Sequence, residues 1–196
     1  LIDYCSSSFI VLDQAYFGFE DPSNDQLNDL LNTHSRLAVL RTFSKYYALA
    51  GLRIGYTCVG TELAHLIEFS ARYLGYNQLT EKIALAALSD NAYYERITHY
   101  MSEDKALYIQ ELNKLDGFKA FESDANFMLV RFPVEHKKEL QDGLKQRGVI
   151  VKFLDDPGVT DCIRITIGTR DQNMRVIRAF KDAAASFPVK VEMARQ

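Results

Sequence analysis

Residues 41–56 of the chain read RTFSKYYALAGLRIGY. Its lysine, Lys45, follows an apolar segment and precedes small and apolar residues that include Gly51 and Gly55. Desolvation of a lysine favours the neutral amine, which is the form that attacks an aldehyde to make a Schiff base. Arg53 follows in the same stretch, and a guanidinium fork is suited to a phosphate. The stretch therefore predicts a covalent anchor beside an anion site, although a lone lysine is more often a solvated surface residue.

The chain on both sides of this stretch alternates between strand and helix patterns. Short apolar runs rich in β-branched and aromatic residues predict buried parallel strands at 8–12, 37–40 and 54–59. Helical spacing of apolar residues predicts these helices: 25–31, 61–71, and either two helices or one bent helix over 79–115. The pattern predicts an α/β fold in which strands and helices take turns.

A smaller α+β unit is predicted after Gly117. Its predicted strands are 127–132, 149–153 and 162–167, and its predicted helices are 135–147 and 171–185. Thr169 and Gln172 have the spacing of a capping box, in which each side chain satisfies a free amide at the helix start. We predict two domains, the first over residues 1–86 and the second over residues 87–196.

A second short segment also carries chemistry. Asp13 ends the first predicted strand, and Tyr16 follows three residues later. In open α/β sheets, ligands bind beyond the carboxyl ends of the strands, so Asp13 is placed where a cofactor could meet it. On its own this signal is weak, because an aspartate at a strand end is more often a turn former or a helix cap.

These two segments together resemble the fold-type I pyridoxal-phosphate (PLP) aminotransferases, and among them most of all the histidinol-phosphate aminotransferases. The resemblance depends on Asp13-x-x-Tyr16, Ser44-Lys45 and residues 49–56, LAGLRIGY. It implies the C-terminal part of the PLP-dependent transferase fold, with part of the large domain's mainly parallel sheet followed by a smaller α+β domain.

The resemblance also implies a role for each matching residue. Lys45 would bind the cofactor covalently and serve as the catalytic base and acid. Asp13 would pair with the pyridine nitrogen, Tyr16 would bind the phenolic oxygen, and Ser44 and Arg53 would hold the phosphate.

Further matches extend towards the end of the chain. Gly75-Tyr76-Asn77 is similar to a Pro-Tyr-Asn passage of the family, with glycine in place of the proline, and Ala125-Asn126-Phe127 opens a strand as it does there. Arg164 lies in a strand similar to the one whose arginine grips the substrate carboxylate. Lys152 stands near the place where the histidinol-phosphate enzymes often use an arginine for the substrate's phosphate, and a lysine is less selective there.

By the same resemblance, the substrates would be an amino donor and a 2-oxo acid, with glutamate and 2-oxoglutarate as the expected pair. The enzyme would be a homodimer. An aromatic or broad-specificity aminotransferase and a threonine-phosphate decarboxylase-like enzyme share the cofactor contacts, so both stay open, as does a non-catalytic regulator that uses the domain as a ligand sensor. The chain begins without methionine, and we expect that an upstream portion of the protein is absent from it.

Composition limits the other function classes. The net charge of −3 and the scattered basic residues favour neither nucleic acid nor an anionic membrane as a partner. The three cysteines are widely spaced without a CxxC pair, which favours a reducing cytoplasm over a disulfide framework. No metal site is expected, because the four histidines lack neighbouring carboxylates or thiols at ligand spacing: His34, His65, His99 and His136.

Overall fold

The computed structural model describes residues 3–5, 7–19, 25–70 and 77–187 of the chain. Its strands and α-helices in chain order are β1 (Ile10–Asp13), α1 (Leu27–Thr33), β2 (Leu37–Thr42), β3 (Gly55–Val59), α2 (Gln78–Ser89), α3 (Asn91–Leu112), β4 (Lys119–Ala120), β5 (Phe127–Arg131), α4 (Lys137–Gln146), β6 (Lys152–Phe153), β7 (Cys162–Thr166) and α5 (Arg170–Ala184). The predicted α/β fold is confirmed.

Two compact units make up the chain. The first comprises residues 1–99 with 124–126, and the second comprises residues 100–123 with 127–196. The division falls inside α3, whereas the sequence predicted a boundary between residues 86 and 87. The predicted domain boundary between residues 86 and 87 stays a prediction.

The first unit contains a three-stranded sheet in the order β1-β2-β3. β1 is parallel to β2, with Asp13 opposite Leu40. β3 is antiparallel to β2, with Gly55 opposite Thr42, so the expectation of a parallel strand at 54–59 is wrong. A parallel return needs a crossover, usually a helix, but the segment between β2 and β3 contains only the single 3-10 turn Ala50–Leu52.

Burial in this sheet is concentrated on its central strand. Leu37 and Val39 of β2 are fully buried, whereas Val11 of β1 keeps 64% of its surface exposed. The expectation that residues 8–12 form a buried strand is therefore wrong for the described chain. β1 lies at the edge of the sheet, so it has a strand neighbour on one side only among the described residues.

The helices of the first unit differ in part from their predictions. The long helical pattern forms two helices, α2 and α3, which separate at Asp90. The Asp90 carboxylate accepts a hydrogen bond from the Tyr93 amide at 3.2 Å and so caps the start of α3. The helix expected over 61–71 is a 3-10 helix over Thr61–Ser70.

The second unit packs α4 and α5 with an antiparallel sheet in the order β4-β5-β7-β6. Alternate residues of the two central strands point into the core, and the largest of the fully buried side chains in the unit are Tyr108, Phe132, Phe180, Leu112, Met128, Leu140, Leu144, Ile163, Ile165 and Val130. Each large apolar side chain buried in this way contributes roughly 1.5–3 kcal/mol. The strand predicted at 149–153 is shorter, Lys152–Phe153, and the predicted capping box of Thr169 and Gln172 is present at the start of α5.

A buried polar network joins α3 to α5 in this unit. The Asn173 side chain is 1% exposed. Its amide nitrogen donates to Asp104 Oδ2 at 2.9 Å and to the Gly168 carbonyl at 3.0 Å. Its amide oxygen accepts from the Gly168 amide at 2.8 Å and from the Tyr108 hydroxyl at 3.2 Å. One side chain of α5 thus satisfies two groups on α3 and the backbone of the turn that precedes α5.

Asn173→Ala should lower the free energy of unfolding by about 2–4 kcal/mol, because it leaves several buried polar groups without partners. Chemical denaturation measures the change. Asn28→Ala, at an exposed position of α1, is the matched control and should change stability by less than about 0.5 kcal/mol. Similar losses in the two variants would contradict the network's role.

Candidate functional site

The carboxyl ends of β1 and β2 meet at one edge of the first sheet. The Gln14 amide, directly after β1, donates to the Leu40 carbonyl at 2.9 Å, so the chain leaves β1 while still bonded to β2. Asp13 Oδ1 accepts from the Ala15 amide at 2.9 Å, which is an Asx-type turn. The Asp13 carboxylate is exposed, and its second oxygen has no hydrogen-bond partner within the described residues.

The turn that carries Lys45 begins directly after β2. The Ala48 amide donates to the Lys45 carbonyl at 3.0 Å, and Ala48 has a left-handed backbone with φ of 56°. The Lys45 Nζ atom lies 5.4 Å from the centroid of the Tyr16 ring. Lys45 is thus brought to the segment that follows Asp13, as expected if the two motifs form one site.

The surroundings of the Lys45 amine differ from the expectation. We expected its neighbours to hold the amine in a desolvated place, but Lys45 is exposed in the described chain. Ala48 and Gly51, the small residues that follow it in the loop, are exposed as well. The small residues after Lys45 therefore shape the turn and do not cover the amine.

Ser44 and Arg53 are at either end of the loop that joins β2 to β3. Thr42 Oγ1 lies 3.0 Å from Ser44 Oγ and accepts from the Ser44 amide at 3.1 Å. Arg53 also has a left-handed backbone, with φ of 53°, and its guanidinium donates to the Ala50 carbonyl at 3.0 Å. The other N–H groups of the exposed guanidinium have no partner among the described residues, so they can bind an anion.

Arg41 is a residue of this region that the sequence did not single out. It is 9% exposed and forms a two-pronged ion pair with Asp25, at 2.6 and 3.0 Å. Its Nε donates to the Gln14 side chain at 2.9 Å, and its guanidinium carbon lies 3.7 Å from the centroid of the Phe17 ring. Arg41 therefore holds the segment that follows Asp13 against β2. An arginine inside an otherwise apolar strand was the signal for it.

The ion pair also makes stability depend on pH. The hydrogen bonds from Arg41 hold the pKa of Asp25 below its usual value. A lowered folded-state pKa means that the carboxylate stabilises the fold fully above the unfolded-state pKa of about 3.9, and that this contribution disappears as the pH falls through the folded-state value.

Asp25→Asn should therefore lower the free energy of unfolding by about 1–3 kcal/mol at pH 7, because it leaves the buried Arg41 without its counter-charge. The difference from wild type should shrink as the pH falls below about 4 and should vanish below the lowered folded-state pKa of Asp25, where the wild-type carboxyl is itself protonated. Denaturant titrations at pH 7 and pH 3 measure it. Asp29→Asn in α1 is the control for loss of one carboxylate, and an Asp25→Asn effect that is the same at both pH values would contradict the assignment.

The two predicted substrate residues lie side by side in the second unit. Lys152 of β6 is directly opposite Arg164 of β7 in the antiparallel register, so both side chains lie on the same face of the sheet. The Arg164 guanidinium is 5.3 Å from the centroid of the Phe127 ring. Two like charges in this arrangement repel each other, and a bound anion would offset that repulsion.

Other predicted positions contribute structure. Asn77 caps the start of α2, and its side-chain oxygen accepts from the amides of Leu79 and Thr80. Gly75 and Tyr76, also predicted from the resemblance, lie outside the described residues. Within the described ranges, no group of three or more histidine, cysteine or carboxylate side chains is arranged to hold a metal ion. No helix in those ranges is long and apolar enough to cross a membrane.

The family to which the chain belongs follows from sequence comparison. The family model for aminotransferase class I and II matches residues 2–180. The chain belongs to this family. The match confirms the family expected from the Asp13, Lys45 and Arg53 motifs.

Relatives of this chain include proteins named for one substrate. It is 33% identical to histidinol-phosphate aminotransferase 2 of Archaeoglobus fulgidus over 178 residues, which are 90% of this chain and 50% of that protein. It is 34% identical to the histidinol-phosphate aminotransferase of Thermoanaerobacter sp. (strain X514) over 178 residues, covering 90% and 49%. The chain thus spans about half the length of the relatives it matches.

Solved aminotransferase structures share the fold. The histidinol-phosphate aminotransferase from Clostridium acetobutylicum is similar with a TM-score of 0.80 and 26% identity, over 92% of this chain and 55% of that one. The enzyme from Sinorhizobium meliloti in complex with pyridoxal-5'-phosphate gives 0.79 and 23%, over 92% and 50%. The L-threonine-O-3-phosphate decarboxylase from Porphyromonas gingivalis gives 0.74 and 22%, over 92% and 56%. Fold likeness alone therefore does not separate transamination from decarboxylation.

Proposed function

We propose that this chain is part of a PLP-dependent aminotransferase that acts on histidinol phosphate, with 2-oxoglutarate and glutamate as the second substrate pair. The observation that carries the proposal is the Lys45 amine close to Tyr16, at the sheet edge where Asp13 ends β1. The family match and the relatives named for histidinol phosphate support the reaction and the substrate, respectively.

The chemistry of these side chains fits the cofactor. The Lys45 amine has no ion-pair partner in the described part of the chain, so it is available for a covalent bond to an aldehyde. The unpartnered oxygen of Asp13 would accept a hydrogen bond from the protonated ring nitrogen, and Tyr16 would donate to the phenolic oxygen. Ser44 and Arg53 would hold the phosphate through a hydroxyl and a guanidinium.

The protein residues then supply the proton transfers. When bound, PLP supplies an electron sink for the charge that develops at the substrate's α-carbon. Asp13, as a carboxylate, would keep the ring nitrogen protonated through its negative charge. The Lys45 amine would act as general base on the substrate's α-proton and as general acid at the cofactor's C4′ carbon. Arg164 would hold the substrate carboxylate, and Lys152 would bind the phosphate end of histidinol phosphate.

Other features of the whole protein are part of the proposal. We expect a homodimer in the cytoplasm, with the site completed by residues beyond this chain. An aromatic or broad-specificity aminotransferase, a threonine-phosphate decarboxylase-like enzyme and a ligand-sensing regulator would share the same cofactor contacts. They differ in substrate and product, so assays of the full-length protein distinguish them.

Lys45→Ala should abolish the yellow absorbance of the covalently bound cofactor in the full-length protein and lower turnover by more than about 10³-fold, because it removes both the anchor and the proton carrier. Absorbance spectra and steady-state kinetics measure the two effects. Lys82→Ala, at an exposed position of α2, should leave both unchanged. Cofactor that can still be fixed to the Lys45→Ala protein by borohydride would refute the assignment.

Lys152→Ala should lower kcat/KM for histidinol phosphate by about 10–100-fold and leave the reaction with glutamate nearly unchanged, because it removes a contact to the phosphate alone. Arg164→Ala should instead impair the half-reaction with glutamate, since glutamate carries the carboxylate that Arg164 would hold and histidinol phosphate has none. Single-turnover conversion to the pyridoxamine form measures each half-reaction. Release of carbon dioxide from threonine phosphate in place of transamination would favour the decarboxylase.

A further inference from the structure

Three arginines line a shallow cavity in the second unit, away from the residues assigned to the PLP and substrate sites. Its volume is about 220 Å³, and it is lined by Arg147, Arg175, Arg178, Ala179 and Asp182. Arg175, Arg178 and Asp182 follow one another at spacings that put them on one face of α5. Arg147 ends α4 and reaches the same cavity from the neighbouring helix.

Close packing of the two helices brings these side chains together. A Cβ atom on Gly143 of α4 would lie 3.0 Å from the Ala183 side chain of α5, so the small residues let the helices approach closely. The Arg147 guanidinium donates to the Gly143 carbonyl at 2.9 Å and lies 3.6 Å from the Asp182 carboxylate. The backbone therefore fixes Arg147 over the C-terminal part of α5.

The charges of the cavity are not balanced. Asp182 is the one carboxylate among its lining residues, and it pairs with Arg147. Within the described part of the chain, the guanidinium groups of Arg175 and Arg178 form no hydrogen bond or ion pair, and both residues are exposed. Three guanidinium groups and one carboxylate leave a local charge of +2 in a protein whose net charge is −3.

We propose that this cavity is a binding site for the phosphate group of a small phosphorylated ligand. A phosphate ester carries a charge of roughly −1.5 to −2 at pH 7, which matches the cluster. Its oxygens suit the forked donors of two arginines, and the concave surface lets more than one guanidinium contact the same group.

Inorganic pyrophosphate is the probe for the test. Isothermal titration calorimetry is performed on the full-length protein with PLP bound, in the Lys152→Ala/Arg164→Ala background, so that neither the cofactor's phosphate site nor the proposed substrate site contributes. We expect one saturable site per chain, with affinity that falls at least 10-fold in Arg175→Ala/Arg178→Ala, since roughly 1.4 kcal/mol per contact corresponds to a factor of ten. Lys82→Ala/Arg96→Ala removes the same charge from exposed positions outside the cavity and should keep the wild-type affinity.

A second variant tests the site in the opposite direction. Asp182→Asn removes the carboxylate that competes with the ligand for Arg147, so pyrophosphate should bind several-fold more tightly. Asp116→Asn, which removes an exposed carboxylate elsewhere in the same unit, should not have this effect. Absence of saturable binding, or equal affinity in Arg175→Ala/Arg178→Ala and in its charge-matched control, would overturn the proposal.

Discussion

Parallel pairing of β1 with β2 is the constraint on which the candidate site depends. It places the ends of both strands at one edge of the sheet, with Asp13 opposite Leu40 and the Lys45 turn directly beyond. The hydrogen bonds that Arg41 makes to Gln14 and Asp25 hold the segment after β1 against β2. Without this register, the Asp13 carboxylate and the Lys45 amine, which are far apart in sequence, would not be brought to the same edge of the sheet.

In the second unit, the apolar core determines which way the proposed substrate residues face. Its sheet is buried against α4 and α5 through alternating apolar residues of β5 and β7, which fix which face of the strands is exposed. That alternation leaves Arg164 facing the side opposite to Ile163 and Ile165. The apolar core therefore determines where the proposed substrate residues point, although it contributes no chemistry itself.

The sequence predicted the positions of the strands, helices and site residues better than their direction and burial. Lys45 and Asp13 could be found because a strand end and a family motif coincide there, and the capping box of α5 has a local signature that needs no tertiary information. The direction of β3 could not be predicted from its composition, because an apolar run looks the same in either orientation. The exposure of β1 and of Lys45 depends on tertiary packing, which the local sequence does not reveal. The ion pair of Arg41 could not be predicted either, because its partner, Asp25, lies in a separate segment of the chain.

The facing cations of β6 and β7 have a consequence for the fold as well as for the ligand. Lys152 and Arg164 oppose each other across the last pair of strands, where β6 is only two residues long. An anion bridging them would replace mutual repulsion by attraction and would also lock a short edge strand in place. Binding of the anion and ordering of β6 would then have the same electrostatic cause. Occupancy of the site would therefore be visible as slower amide hydrogen exchange in β6.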